Sequence, residues 1–106
     1  MRRDAGSRAP TPRELRAIES GLSSQRVPKV REFFAIPSSV ELTPEFVRAV
    51  RTWKSVTVMP DSYVTTSSTS GEVEALLRTE EASTRWVLRL DLVANRWLIA
   101  GTRELS

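Results

Sequence analysis

The chain has 106 residues, 16 of them basic and 13 acidic, and it contains neither cysteine nor histidine. A chain of this length forms one domain, because it has no room for a second hydrophobic core. The missing side chains exclude disulfide bonds, thiolate nucleophiles, zinc fingers, imidazole bases and haem ligation by histidine. Carboxylates, hydroxyls, arginines, two lysines and one tyrosine remain for chemistry. We therefore expect neither a metal nor another cofactor.

The basic residues are concentrated near the N-terminus. Residues 1–31 carry eight basic and three acidic side chains, whereas residues 32–106 carry eight basic and ten acidic ones. Residues 1–10 have no large apolar side chain after the initiator methionine, so burial cannot offset the entropy of ordering them. We interpret residues 1–10 as a disordered basic tail and residues 11–106 as a single folded domain.

No part of the sequence is apolar enough to cross a membrane as a helix. The longest uninterrupted apolar runs have four residues, as at residues 97–100, which is far short of the roughly 20 residues that a spanning helix needs. No hydrophobic segment follows the first arginines, so we expect no signal peptide, and the localisation is open. Contact of Arg2, Arg3 and Arg8 with nucleic acid or an anionic membrane is disfavoured, because no aromatic residues separate these arginines.

The first half of the domain carries the signals of three helices. Thr11 and Glu14 match a capping box, and the spaced apolar residues after them predict one helix. A second helix is predicted over residues 28–36, with a proline in its first turn and another after its end. A third begins at Thr43, a hydroxyl cap followed by proline. Residues 40–42 can form a short strand between the last two helices.

After Trp53 the apolar period changes from 3.6 to 2, which is typical of strands. Residues 56–58 alternate in polarity before the turn signal at residues 60–61. Residues 63–66 are rich in strand-forming side chains. Residues 71–77 alternate again and have a mostly charged outer face. This half therefore predicts four or five antiparallel strands.

Residues 84–103 carry the clearest pattern. If Ala94 and Asn95 form a two-residue turn, the large apolar side chains of both strands fall on one face of a hairpin. A register shift of one residue would expose that whole row, so the register is well specified. The buried row is predicted to consist of Trp86, Leu88, Leu90, Leu92, Trp97 and Ile99.

The order of the elements predicts an α+β domain, with N-terminal helices packed on one face of an antiparallel meander. Residues 86–93, the turn at residues 94–95 and the Trp-centred residues 96–99 resemble the closing hairpin of the cystatin-like and nuclear-transport-factor-2-like (NTF2-like) superfamily. The resemblance spans about residues 12–105. It implies a curved sheet that wraps around the helices to form a cone.

Tyr63 and Asp91 are the first candidates for catalysis. In the steroid-isomerase branch of this superfamily a tyrosine stabilises an oxyanion and a carboxylate is the base, and the resemblance implies these roles for the pair. Strand alternation, however, places Asp91 on the face opposite the apolar row, in solvent beside Arg89 or Arg96. We therefore predict no catalytic residue.

The three tryptophans are candidates for a ligand pocket. Aromatic walls are common in such pockets, so Trp53, Trp86 and Trp97 can line one. Because Trp86 and Trp97 share the face that must be buried, core packing is the favoured interpretation. A buried indole N–H then needs a hydrogen-bond partner.

The outer face of the hairpin is more apolar than a solvated face needs to be. Superfamily members often dimerise through this surface, and an exposed apolar patch of about several hundred Å² is typical of an interface. Scattered surface hydrophobic residues are the alternative. Thr102 is predicted on the same side. The predicted interface consists of Val87, Arg89, Asp91, Val93, Leu98 and Ala100.

Together these patterns predict a non-enzymatic NTF2-like or cystatin-like binding domain that acts in protein–protein interaction or dimerisation. Its expected partner is a second copy of the chain or another protein. The alternative is a small-molecule enzyme of the ketosteroid-isomerase or polyketide-cyclase type. The two functions differ in whether a titratable side chain faces the interior of the cone, and the inward rows carry none.

Overall fold

The computed structural model describes residues 9–37 and 39–105, in which three helices precede a four-stranded antiparallel sheet. The chain is therefore α+β, and the strands lie in the order β1-β2-β3-β4. Most of the predicted tail, residues 1–8, lies outside the described residues, whereas Pro10 is buried. The elements are α1 (Pro12–Leu22), α2 (Val27–Arg31), α3 (Pro44–Thr52), β1 (Ser55–Ser67), β2 (Ser70–Arg78), β3 (Ser83–Val93) and β4 (Arg96–Leu105).

The helix starts follow the sequence signals. The Thr11 hydroxyl accepts a hydrogen bond from the Glu14 N–H at 3.1 Å, and the Glu14 carboxylate accepts one from the Thr11 N–H at 2.9 Å. These two bonds complete the predicted capping box at α1. At α3 the Thr43 hydroxyl accepts from the Phe46 N–H at 3.1 Å. Both predicted starts are confirmed.

The second helix is shorter than the sequence predicted. Helix was expected over residues 28–36, but α2 ends at Arg31. Residues 40–42 were expected to form a short strand, and they form none. The strand-like pairing lies earlier in the chain, where Phe34 forms an isolated parallel bridge with Ile99 of β4.

The edge of β4 explains why the helix stops. The Ile99 N–H donates to the Phe33 carbonyl at 2.7 Å, and the Ile99 carbonyl accepts from the Ala35 N–H at 2.8 Å. Ile99 is buried, so its peptide groups need partners within the protein. The chain after α2 supplies them by extending along β4 instead of continuing as a helix.

The opposite edge of the sheet is closed by side chains at the end of α1, namely Glu19 within the helix and Ser23 directly after it. The Ser23 hydroxyl accepts from the Val56 N–H at 2.9 Å and donates to the Val56 carbonyl at 3.3 Å. The Glu19 carboxylate accepts from the Val58 N–H at 2.8 Å. These bonds occupy the edge of β1 that would otherwise be open to another strand.

The predicted turn at residues 60–61 is a bulge within one long strand. The β1–β2 register shifts between Met59 and Val64. Within the shift, the Ser62 hydroxyl accepts from the Glu74 N–H and donates to the Met59 carbonyl, both at 2.7 Å. Ser62 thus replaces missing ladder bonds, and a proline without an N–H is tolerated at a bulge in an edge strand.

The β3–β4 turn has the predicted two-residue form. Ala94 and Asn95 have φ angles of 50° and 65°, as a turn with two left-handed central residues requires. Next to the turn, Leu90 pairs with Ile99 as predicted.

Farther from the turn the register differs from the prediction. Arg89 pairs with Gly101, so Ala100 is the additional residue of a bulge in β4. Leu88 therefore pairs with Thr102, although strict alternation predicted Gly101 at that position. As a result Thr102 lies on the inner face of the sheet, and its predicted outer position is wrong.

The core lies between the helices and the inner face of the sheet. Four residues of the predicted hairpin row are buried there, whereas Trp86 and Leu92 are only partly buried. Every helix contributes at least one residue to the core. The core residues are Leu15, Ile18, Leu22, Val30, Val50, Val56, Val58, Val73, Ala75, Leu88, Leu90, Trp97 and Ile99.

Replacement of Ser23 tests the closure of the β1 edge. Ser23→Ala is expected to lower the free energy of unfolding by about 1 to 3 kcal/mol, because the N–H of buried Val56 would lose its partner. Ser20→Ala is the matched control, since Ser20 is exposed in the last turns of α1, close to Ser23 in the sequence, and it should change little. Urea denaturation gives both values. Equal losses for the two variants would contradict the role assigned to Ser23.

Candidate functional site

An apolar cavity of about 210 Å³ lies between α3 and the inner face of the sheet. α3 and the residue after it contribute Phe46, Ala49 and Trp53 to its walls. β3 contributes Trp86, and β4 contributes Thr102. The large aromatic side chains around the cavity are partly exposed, so the cavity opens to solvent.

A row of aromatic rings forms the helical wall of the cavity. Phe46 packs edge-on against Phe34, with ring centroids 5.3 Å apart, and edge-on against Trp53, with centroids 6.3 Å apart. The cap at Thr43 sets the phase of α3, and fully buried Val50 anchors the helix to the core. The helix that carries Phe46 is therefore held at its first turn and near its end.

Small side chains line the cavity on both its helical and its sheet walls. Ala49 lies on α3 and Ala75 on β2, and both line the cavity. Larger side chains at these positions would fill the gap. The sequence pattern marked Ala75 as a core residue, but it carried no sign that Ala49 would lie in the same cavity.

The sheet side of the cavity holds its few polar groups. The indole N–H of Trp86 donates to the Thr84 hydroxyl at 2.9 Å, which fixes the ring. Among the lining residues that the structure describes, Thr102 contributes the only hydroxyl and none is ionisable. The bulge in β4 brings Thr102 to this face, which strict alternation did not predict.

The three tryptophans have different environments. Trp97 is buried in the core, as predicted. Trp53 and Trp86 are only partly buried and line the cavity, and Trp53 also packs against the core. The Trp97 indole N–H is buried without a hydrogen-bond partner among the described residues.

Tyr63 and Asp91 lie on opposite faces of the sheet. Tyr63 packs on the core side, where a Cβ atom added to Gly71 would lie 2.1 Å from its hydroxyl oxygen. Gly71 therefore makes room for the ring. Asp91 follows buried Leu90 on β3 and accepts a hydrogen bond from the Ser70 hydroxyl at 2.8 Å on the outer face. The arrangement does not bring the two side chains into one site. Tyr63 is nevertheless a titratable side chain on the inner face, so the expectation that no such side chain faces inward is wrong at this position.

The Tyr63 hydroxyl is buried and has no hydrogen-bond partner with normal geometry among the described residues. Its ring packs edge-on against Trp97, with centroids 6.3 Å apart. Desolvation by burial raises the pKa of Tyr63 above its ordinary value of 10.0, and the nearby Thr65 side chain lowers it by a smaller amount.

Titration of the single tyrosine tests this environment. Tyrosinate absorbance is expected to have its midpoint above pH 10 in the folded protein and near pH ~10 in guanidinium. From about pH 10 upward the unfolded chain loses this proton before the folded chain does, so the contribution of Tyr63 to stability is complete below pH ~10 and falls as the pH rises. Tyr63→Phe should lack this part of the pH dependence. A folded-state midpoint at or below that of the unfolded chain would contradict the burial of the hydroxyl.

The outer face of the sheet carries paired charges. Arg85 forms an ion pair with Glu74, and Arg103 approaches Glu72 at 3.9 Å. Val87 lies among these long side chains and is only 9% exposed. The charged side chains cover much of the apolar surface that the sequence predicted there.

The other predicted interface residues lie along the rest of this face. The Arg89 guanidinium donates to the Ala100 carbonyl at 3.3 Å within the bulge. Leu98 pairs across the strands with Asp91. Val93, next to the turn, is 45% exposed.

Within the described residues, no three acidic side chains are grouped so as to hold a metal ion, and no helix is long and apolar enough to span a bilayer. Arg2, Arg3 and Arg8, the predicted contacts for anionic partners, lie outside the described residues. Comparison of the chain with models of protein families, with curated proteins and with solved structures found no match.

Proposed function

We propose that the chain is a non-enzymatic binding domain of the NTF2-like or cystatin-like type and that the cavity between α3 and the sheet is its binding site. The observation that carries this proposal is the lining of the cavity, which combines four aromatic side chains, aliphatic side chains and a single hydroxyl. Ligand pockets in proteins have this composition, with a mostly apolar surface and few polar groups.

The layered arrangement supports the fold part of the proposal. Helices cover one face of an antiparallel meander, and the edge strands β1 and β4 both contain bulges. Bulges bend a strand and increase its twist, as a sheet that curves around helices requires. In such a fold the expected ligand position is between the helices and the inner face of the sheet, and residues of both line this cavity.

The absence of ionisable groups from the lining supports a binding function over an enzymatic one. General acid–base catalysis needs a titratable side chain within hydrogen-bond reach of the substrate. The hydroxyl of Thr102 is not such a group at neutral pH. Tyr63 and Asp91, the pair implied by the steroid-isomerase resemblance, do not line the cavity.

Binding of toluene tests the cavity directly. Toluene is small enough to enter, so it should raise the melting temperature of the wild type by binding the folded state. Ala49→Phe places a ring in the cavity and should abolish the rise. Ala17→Phe adds the same ring at an exposed position of α1 and should preserve it. Circular dichroism gives all three melting curves, and a wild type that shows no rise would overturn the proposal.

Self-association through the outer sheet face is a second candidate function. It is supported by two large apolar side chains exposed on that face, Val64 at 60% and Val93 at 45%. In a two-fold dimer each chain presents the same surface, so Arg89 of one chain can pair with Asp91 of the other. The charge pairs that β2 forms with β3 and β4 would then be part of a polar interface.

Light scattering at micromolar concentration tests the dimer. We expect twice the chain mass for the wild type and the chain mass for Leu98→Glu, because a carboxylate would be desolvated twice per dimer. Ser20→Glu, on the exposed side of α1, should leave the dimer intact. A monomeric wild type, or a dimeric Leu98→Glu variant, would exclude this interface.

A further inference from the structure

The volume of the cavity limits the size of its ligand. An apolar cavity of about 150 Å³ holds benzene, which has six non-hydrogen atoms. At the same volume per ligand atom, the 210 Å³ of this cavity accommodates about eight to nine non-hydrogen atoms. Such a ligand has one ring with a substituent or two fused rings. A four-ring skeleton could not be enclosed in this volume.

The walls favour an aromatic ligand over an aliphatic one of equal size. Phe34, Phe46 and Trp53 already pack edge to face, with interplanar angles of 88° and 86°. Trp86 contributes a fourth ring from the sheet side. A flat ring inserted between these walls can continue the edge-to-face pattern, which adds an attraction beyond simple burial. An aliphatic ligand gains only the free energy of burying its apolar surface.

The charge of the lining requires a neutral ligand. No ionisable side chain of residues 9–37 and 39–105 lines the cavity, so a charged ligand would lose its hydration without gaining a partner there. The Trp86 indole N–H already donates to Thr84, which leaves the Thr102 hydroxyl as the main polar contact from the sheet. Thr102 is exposed, so that contact lies where the cavity meets solvent.

We infer that the cavity binds a free, neutral, planar aromatic molecule of one or two rings whose single polar atom hydrogen-bonds to Thr102. This inference rests on the proposed function, because it names the ligand class of the same site. Indole is a suitable probe, since it has the required size and planarity and one polar N–H.

Calorimetric titration with a matched set of probes tests the class. Cyclooctanol has nine non-hydrogen atoms and one polar atom but no aromatic ring, and indole-3-acetate adds a negative charge to indole. Indole should bind at least about tenfold more tightly than either. Equal or tighter binding of cyclooctanol or indole-3-acetate would overturn the inference.

A variant at Thr102 tests the polar contact. Thr102→Val keeps the branched shape and removes the hydroxyl, so the affinity for indole should fall about fivefold, the value of one hydrogen bond. Toluene has no polar atom, and its affinity should not change. Thr57→Val, at an exposed position of β1, is the control and should bind indole as the wild type does. An unchanged affinity of Thr102→Val for indole would overturn the assigned contact.

Two further outcomes separate this inference from the function on which it rests. If toluene binds but indole is not preferred, the ligand class is wrong and the cavity remains a binding site. If neither toluene nor indole binds, the proposed function fails. N-acetyltryptophanamide presents the same indole ring on a peptide backbone, and tighter binding of this compound than of indole would overturn the assignment of a free small molecule.

Discussion

The architecture depends on the need to pair the backbone groups at both edges of a four-stranded sheet. Glu19 of α1 and Ser23, the residue after this helix, occupy the β1 edge, and residues 33–35 occupy the β4 edge. The residues that pair with the two edges, residues 19–23 and residues 33–35, are close together in the sequence. Residues 24–32 must therefore cross the sheet from one edge to the other. The crossing fixes the helical layer on a single face. It also leaves neither anchored region available for pairing with another chain.

The cavity follows from the same crossing. After residues 33–35 the chain lies at the β4 edge, but β1 begins at the opposite edge, so α3 lies over the sheet on the way back. Val50 and the aromatic row hold this helix in place, and small residues on both walls prevent full contact. The cavity is therefore produced by the path of the chain together with the small side chains of Ala49 and Ala75.

Local chemistry was enough to predict the elements that depend on local contacts. The capping box at Thr11, the cap at Thr43 and the turn at residues 94–95 each involve residues at most a few positions apart, and each is confirmed. The early end of α2 depends instead on Ile99, which lies far along the chain. A proline at residue 60 has the same local signature in a turn and in a strand bulge, so the sequence could not distinguish them.

The cavity was harder to predict than the elements that surround it. Ala49 and Ala75 are ordinary residues in their own helix and strand patterns, and only the tertiary structure shows that they face one space. Trp53 and Trp86 have the same apolar character whether they fill a core or line a pocket. The difference lies in the volume next to them, which a sequence pattern does not contain.

The bulge at Ala100 determines which side chains the last part of β4 presents to the cavity. Because one extra residue is accommodated there, Thr102 pairs with Leu88, and Arg103 faces the ion pairs of the outer sheet. In a regular ladder of the same sequence the next inward position after Gly101 would be Arg103, and a guanidinium would be directed toward the aromatic row. An insertion or deletion in this strand can thus change the polarity of the cavity without substituting any residue that lines it. For this fold, the length of β4 before residue 102 is as strong a determinant of ligand chemistry as the identity of the lining side chains.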